Sequence, residues 1–446
     1  MKLFKLFITL IFTVFCLTII PKYALAFCGF YVGKADTSLY NKASQVIIAR
    51  EGNRTVLTMS NDYQGEVKDF ALVVPVPVVL KQEQVKVREA KILERLDAFS
   101  SPRLVEYFDD NPCEPRRQYD KIPAPSSAPL QESAGSARRD NALGVTVEEK
   151  FSVGEYDILI LSAKESDGLE IWLRENGYKI PKGASQTLQP YIKQKLKFFV
   201  AKVNLEEFDK TGFQSLRPLQ MAYESPKFML PIRLGMINSQ GEQDLIVYLL
   251  SPKGQIELTN YRTVKIPSDA NIPEFVQKEF APFYKSLFQR SYERENKKVA
   301  FLEYAWNMAN CDPCSADPLN PEELKQAGVF WLPDNSWGNV FITRLHVRYT
   351  RDKFPEDLQF QETGNQQFFQ GRYVMTHPYR AEMNCSAAQT YQTSVRKRQE
   401  EEAKTLANLT GWNINEIRKK IDFVTIEQVP WWRKLSELCT NIFKKV

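Results

Sequence analysis

Cys311 and Cys314, set in Asn310-Cys311-Asp312-Pro313-Cys314, are the residues whose types and spacing come nearest to chemistry. A Cys-X-X-Cys turn can exchange thiol for disulfide, close a structural bridge, or supply half of a zinc site. Exchange needs the first cysteine exposed at a helix N-terminus, where backbone dipoles favour the thiolate. Here the apolar stripe Phe280, Phe283, Leu287, Tyr292 and Val299 predicts a helix over Phe275 to Trp306 that runs into the motif. Cys311 would then follow a helix C-terminus, where the dipole raises a thiol pKa, so the expectation is an oxidised, redox-inert bridge. The two cysteines can bond to each other or staple their turn to distant segments.

Zinc asks for about four Cys or His ligands. No second cysteine pair is present, and the two histidines, His346 and His377, stand alone in the sequence. A Cys–His nucleophilic pair is arithmetically open, yet a histidine between Leu345 and Val347 reads as a hydrogen-bonded strand residue. Glu155, Asp157, Glu224, Glu356 and Asp357 are read as solvated surface carboxylates rather than as an acid and base. The sequence contains no Gly-X-Gly-X-X-Gly after a strand, no Walker loop, no His-Glu-X-X-His and no Gly-X-Ser-X-Gly. Trp331 and Trp337 flank a Pro-Asp-Asn-Ser loop and could grip sugar or peptide, although core packing is the commoner fate of tryptophan. This reading assigns no catalytic, cofactor-binding or metal residue, expects no cofactor, and leans away from an enzyme.

The elements that position these residues lie in an exported chain. Met1 to Lys5 is basic, Leu6 to Ile20 is apolar, and Ala24-Leu25-Ala26 follows, which predicts a signal peptide over residues 1–26. The apolar run is shorter than the roughly 20 residues of a bilayer span and ends at Pro21. Phe27 is too bulky for lipidation at Cys28. Removing Lys2, Lys5 and Lys22 with no acid lowers the formal charge from +5 to +2, which argues against a nucleic-acid partner. Cys16 leaves with the signal, so Cys28, Cys113, Cys311, Cys314, Cys385 and Cys439 remain, an even count suited to disulfides in an oxidising compartment. The structural disulfide candidates are Cys28, Cys113, Cys311, Cys314 and Cys385, with connectivity open.

Gln45 to Arg50 and Arg54 to Ser60 predict a hairpin, and Phe70 to Val79 a third strand, placed at a sheet edge because Pro75 and Pro77 remove two donors. Ile92 to Phe99 is a helix, and Ser101-Pro102 is expected to cap a second helix carrying Leu104, Val105 and Phe108. Residues 27–113 thus form an N-terminal β-meander plus helices. Residues 114–142, rich in Pro, Ser, Ala, Gln and Arg, predict a disordered linker. Residues 143–384 form a central α+β domain, with strands from Leu219 to Val264 read as an antiparallel meander. Residues 385–446 form a helical C-terminal region, with a long helix stopped by Gly411 and another opened by Asn413. The fold class is α+β, with mixed, largely antiparallel sheets and packed helices. After Pro430, Trp431, Trp432, Leu435, Leu438, Cys439, Ile442, Phe443 and Val446 would share one apolar helical face opposite a basic one. That tail suits docking on the protein body or peripheral contact with a membrane, and in either case Cys439 is expected buried and unpaired.

Cys28-Gly29-Phe30-Tyr31-Val32, Lys42-Ala43-Ser44-Gln45-Val46, Phe70-Ala71-Leu72-Val73-Val74-Pro75-Val76-Pro77, Gly154-Glu155-Tyr156-Asp157, Glu224-Ser225-Pro226-Lys227-Phe228, Cys311-Asp312-Pro313-Cys314 and Phe354-Pro355-Glu356-Asp357-Leu358 run collinearly through nearly the whole mature chain. Together they resemble the exported bacterial family catalogued as domain of unknown function 2330. The resemblance implies an exported bacterial envelope protein and brings no catalytic residue with it. The resulting expectation is a disulfide-stapled binding or scaffold protein with an envelope partner, set against an envelope hydrolase or thiol–disulfide enzyme.

Overall fold

The computed structural model describes residues 30–33, 40–41, 44–60, 63–64, 70–114, 145–164, 166–176, 184–212, 215–237, 241–312, 315–333 and 338–426. The expected signal peptide and amphipathic tail lie outside these residues, as do Cys28, Cys314, Cys439, Trp337 and the expected linker beyond Glu114. Eight α-helices occur among the described residues: α1 (Lys91–Ser100), α2 (Ser166–Glu175), α3 (Ala184–Lys193), α4 (Leu205–Thr211), α5 (Phe280–Arg294), α6 (Pro321–Gln326), α7 (Ala388–Thr410) and α8 (Ile414–Lys420). With mixed sheets and a helical C-terminal region, the fold is α+β. No described helix is long and apolar enough to cross a membrane.

Two sheets organise the molecule. The larger follows the order Arg262–Lys265, Val299–Asn307, Phe341–Tyr349, Gln243–Ser251, Ser44–Glu51, Arg54–Ser60, Leu219–Glu224 and Val85–Val87, with Phe369–Gln370 also paired to Val299–Asn307. Its pairs are antiparallel except Arg262–Lys265 with Val299–Asn307 and Gln243–Ser251 with Ser44–Glu51. The smaller runs Phe30–Gly33, Phe70–Val76, Lys197–Val203, Tyr156–Ala163 and Val145–Val153, antiparallel throughout. Side chains alternate between the faces of a strand, and both sheets use both faces. Val46 and Ile48 of the larger sheet join Leu72, Val74, Ile158 and Phe199 of the smaller in one core between the sheets. Ile47 and Ala49 turn the other way, onto Ile92, Leu93 and Leu96 of α1. Likewise Val73 and Val200 turn outward beneath Leu169 and Leu173 of α2 and Leu188 of α3. A fourth cluster joins Phe283 and Leu287 of α5 to Ala403 and Leu406 of α7, Ile417 of α8, and Tyr373 and Met375.

Several expectations are overturned. The helix predicted over Phe275 to Trp306 is a 3-10 turn at Glu274–Glu279, then α5, then the strand Val299–Asn307. Asn296 and Lys297, with φ of 55° and 61°, turn the chain out of the helix. Val299 to Ala305 are buried on both faces, and such a run carries no alternation that separates strand from helix. No helix therefore precedes Cys311, and the dipole argument against its reactivity falls. The helix expected after Pro102 is the strand Arg103–Phe108, parallel to Arg372–His377. Val105, Tyr107 and Phe108 suit a strand, and pairing decides the matter.

Phe70–Val76 is interior rather than an edge. It has Lys197–Val203 along one side, while Phe30–Gly33 pairs only with Phe70–Val73, so Pro75 sits where the other flank has no described strand. The strands after Leu219 do not form a meander. Leu219–Glu224 pairs with Arg54–Ser60 and Val85–Val87, and Gln243–Ser251 with Phe341–Tyr349 and Ser44–Glu51. Both large sheets draw strands from either side of residues 114–142, so residues 27–113 and 143–384 do not build separate sheets. The hydrophobic pattern specifies which residues are buried, and long-range pairing then assigns them to a common sheet.

Candidate functional site

The densest polar chemistry lies between the larger sheet and α5. The register of Val299–Asn307 on Phe341–Tyr349 shifts between Leu302 and Tyr304, leaving Glu303 as the extra residue of a β-bulge. Ala300, Leu302 and Ala305 still point into the core between the sheets, while Glu303 turns toward the helices. Arg344, His346 and Arg348 occupy alternate positions of the facing strand and so share one face. Glu303, 1 % exposed, accepts from Arg344 Nε at 2.7 Å, from His346 Nδ1 at 2.8 Å and from the Tyr284 hydroxyl of α5. The other ring nitrogen of His346, Nε2, stands 3.1 Å from Asp244, which also takes a two-point bond from Arg348 at 2.7 and 2.8 Å. Arg344 continues to Asp97 of α1 at 2.6 Å, and Phe288 of α5 stacks on the His346 ring at 3.8 Å.

With a carboxylate at each ring nitrogen, the surroundings of His346 favour the imidazolium, which can donate from both. Burial works against that charge, but Glu303 and Asp244 outweigh it and raise the pKa. Burial likewise opposes ionisation of Glu303, yet His346 and Arg344 hold it at about 2. Both ring nitrogens are directed at carboxylates, and this chain of charges couples α1, the sheet and α5.

A second cluster sits where the strand Arg103–Phe108 meets α7. His377 closes the neighbouring strand with Nδ1 3.0 Å from Glu274 and Nε2 2.9 Å from Glu106, while Phe108, 73 % exposed, stacks on its ring at 4.5 Å. Asp109 receives Arg398 of α7 at 3.1 and 2.8 Å and the Tyr391 hydroxyl at 2.7 Å. One turn beyond Arg398, Glu402 is buried, and burial pushes its carboxyl up to about 7 against the pull of Arg398, with Glu274 and Asp109 adding to the rise. Nearby, Cys113 and Cys385 form a disulfide with a Cα–Cα distance of 5.7 Å across 272 residues of chain.

The residues singled out by sequence are dispersed. His346 and His377 each have their own carboxylate pair on different sheets. Cys311 is an exposed free thiol. Trp331 donates to the Asn339 carbonyl at 3.1 Å and packs edge-on against Phe330. Two of the carboxylates expected at the surface are buried instead. Glu155 is 1 % exposed and held by Arg217, and Asp357, 3 % exposed, accepts from Arg233, Tyr191 and the backbone of Ile232. Each is tolerated inside because a cation and further donors satisfy it. No group of three His, Cys, Asp or Glu side chains among the described residues is placed to hold a metal ion.

Sequence reading missed Glu303, Asp244, Arg344, Arg348, Asp109, Arg398 and Glu402. One signal was present: Glu303 is a lone charge in an apolar run, and Arg344, His346 and Arg348 recur every second residue. No comparable pattern marks Glu402, whose burial depends on how α7 docks. A family model described as an uncharacterized protein conserved in bacteria (DUF2330) matches residues 22–361. No curated protein and no solved structure matches the chain.

Proposed function

The chain belongs to this bacterial family, and on that premise we propose that it is exported to the periplasm or beyond and serves as a disulfide-stapled binding or scaffold protein of the envelope. The observation that carries the reading is the Cys113–Cys385 bridge, which ties the end of one strand segment to the foot of α7 across 272 residues. Such a bridge belongs to an oxidising compartment, as does the leader read in residues 1–26. A structural role also accords with the histidines, whose ring nitrogens are all directed at carboxylates.

Expression with the native leader, followed by fractionation and mass spectrometry, tests this. A chain beginning at Phe27 outside the cytoplasm, with Cys113 and Cys385 shielded from alkylation until reduced, is the expected result. A cytoplasmic chain that keeps Met1 to Ala26, or a freely alkylated Cys113, would refute it. Pull-down from envelope fractions then identifies the partner.

A second reading is a thiol–disulfide enzyme. It is favoured by the exposure of Cys311, three residues before Cys314, and by the strand rather than helix that leads to it. Insulin reduction that is lost in Cys311→Ser would establish this reading in place of the first.

A further inference from the structure

Glu402 is a buried carboxyl whose charge Arg398 meets only weakly. It is 4 % exposed, and its Oε1 accepts no hydrogen bond from the described residues. The nearest cation, Arg398 on the preceding turn of α7, comes only to 3.5 Å through Nε, because its other nitrogens are directed at Asp109. Tyr391, also on α7, donates to Asp109 as well. The 3-10 turn presents Glu274, a further carboxylate, whose oxygens are taken by His377 at 3.0 Å and Arg380 at 3.3 Å. Glu106, on the strand Arg103–Phe108, holds the far nitrogen of His377. Every cation in the cluster is thus bonded to another carboxylate.

We propose that Glu402 is a proton-operated latch. Protonated, it lets α7 lie against the strand end at Asp109 and the turn at Glu274; ionised, it loosens α7 while the Cys113–Cys385 bridge keeps the N-terminal end of the helix tied. A neutral carboxyl is favoured in this setting over a buried carboxylate beside Asp109 and Glu274, whose charge Arg398 at 3.5 Å only partly offsets. The sign follows: a folded pKa raised from 4.5 to about 7 contributes stability that is full below 4.5 and is lost as pH rises through about 7. Loosening has a structural consequence, because Ala403 and Leu406 of α7 pack in the apolar cluster of Phe283, Leu287 and Tyr373. Above neutrality that surface becomes intermittently available to an apolar partner face. The latch is a property of the fold and stands whether or not the protein is exported.

Hydrogen exchange on the intact purified protein at pH 5.5 and 8.5, corrected for the intrinsic pH dependence of exchange, tests the latch. Protection of peptides within residues 388–410 should fall by about tenfold at pH 8.5 relative to peptides of Ser44–Ser60. Glu402→Gln, which keeps the shape and removes the charge, should abolish the difference. Asp109→Asn offers an independent check, because it removes one repelling carboxylate and frees Arg398 for Glu402, so the folded pKa of Glu402 should fall toward its ordinary value and the loss of protection should shrink or disappear. Unchanged protection of α7 in the wild type, or the same fall in Glu402→Gln, would overturn the proposal. If Glu402→Gln fails to fold, the decision rests on Asp109→Asn, and an unmoved transition there would overturn it equally.

Discussion

Glu303 shows how a single inserted residue can change the character of a buried strand. Without the bulge, alternation would carry the later side chains of this strand to opposite faces, and Tyr304 could not share the helix-covered side with Glu303. The charges it gathers work as a unit: Asp97, Glu303 and Asp244 balance Arg344, His346 and Arg348. Two linkage signs follow. Glu303, held at about 2, contributes stability that is full above its ordinary 4.5 and is lost as pH falls toward 2. His346, raised above its ordinary 6.5, contributes stability that is full below 6.5 and is lost as pH rises through its folded value. Glu402 adds a loss above 4.5, so stability should be greatest on the acid side of neutrality. Glu303→Gln leaves Arg344 and His346 undercompensated inside the protein, and is expected to cost about 3–5 kcal/mol by urea unfolding at pH 6 while flattening the acid limb. A cost under about 1 kcal/mol would mean that packing, not charge, joins α5 to the sheet.

Among the elements, those with local signals were legible in sequence and those fixed by partners were not. The hairpin at Gly52, where φ is 56°, α1 with its spacing of Ile92, Leu93 and Leu96, and α7 ending at Gly411, where φ is 78°, each carry their own instructions. Arg103–Phe108 and Val299–Asn307 do not, because tertiary pairing overrides a helical spacing that is incidental. The same division runs through the polar clusters. Arg344, His346 and Arg348 declare a shared face by spacing alone, but that Glu303 meets them depends on register, and that Glu402 is buried depends on helix docking. One legible element gives a clean test. At α6, Asn320 accepts from the Glu323 amide and Glu323 accepts from the Asn320 amide, each at 2.9 Å, with Pro321 opening the helix. Glu323 also binds Arg95 of α1 at 2.8 Å, so the cap joins two helices. Asn320→Ala should cost about 1 kcal/mol, read as a shift in the urea midpoint without a change in slope. Restoration by Asn320→Asp or Asn320→Ser is expected, and failure of both would show that the side chain does something other than cap.

At the scale of the molecule, the last described residues are tied to α7 and to Arg380. Asp422 accepts Gln399 and Arg380, Val424 donates to Gln399, and Arg396 lies over the Phe423 ring at 3.9 Å, so residues 422–424 are anchored along α7. Beyond Ile426 the sequence alone speaks: an apolar set from Trp431 to Val446 set against Arg433, Lys434, Lys444 and Lys445. A helix with tryptophans at one end and a basic polar face would meet the requirements of an interfacial membrane helix. We propose that this tail gives the protein a peripheral membrane contact. Truncation after Ile426 should leave the melting temperature within about 1 °C while abolishing flotation with anionic liposomes. Flotation should also weaken with salt, since anionic lipid attracts the basic face by screened electrostatics. Substituting Trp431 and Trp432 with Ser in the full chain separates the terms, removing the apolar anchor and leaving the charge. Loss of thermal stability on truncation with no flotation to lose would place the tail on the protein body instead, with its apolar face buried there.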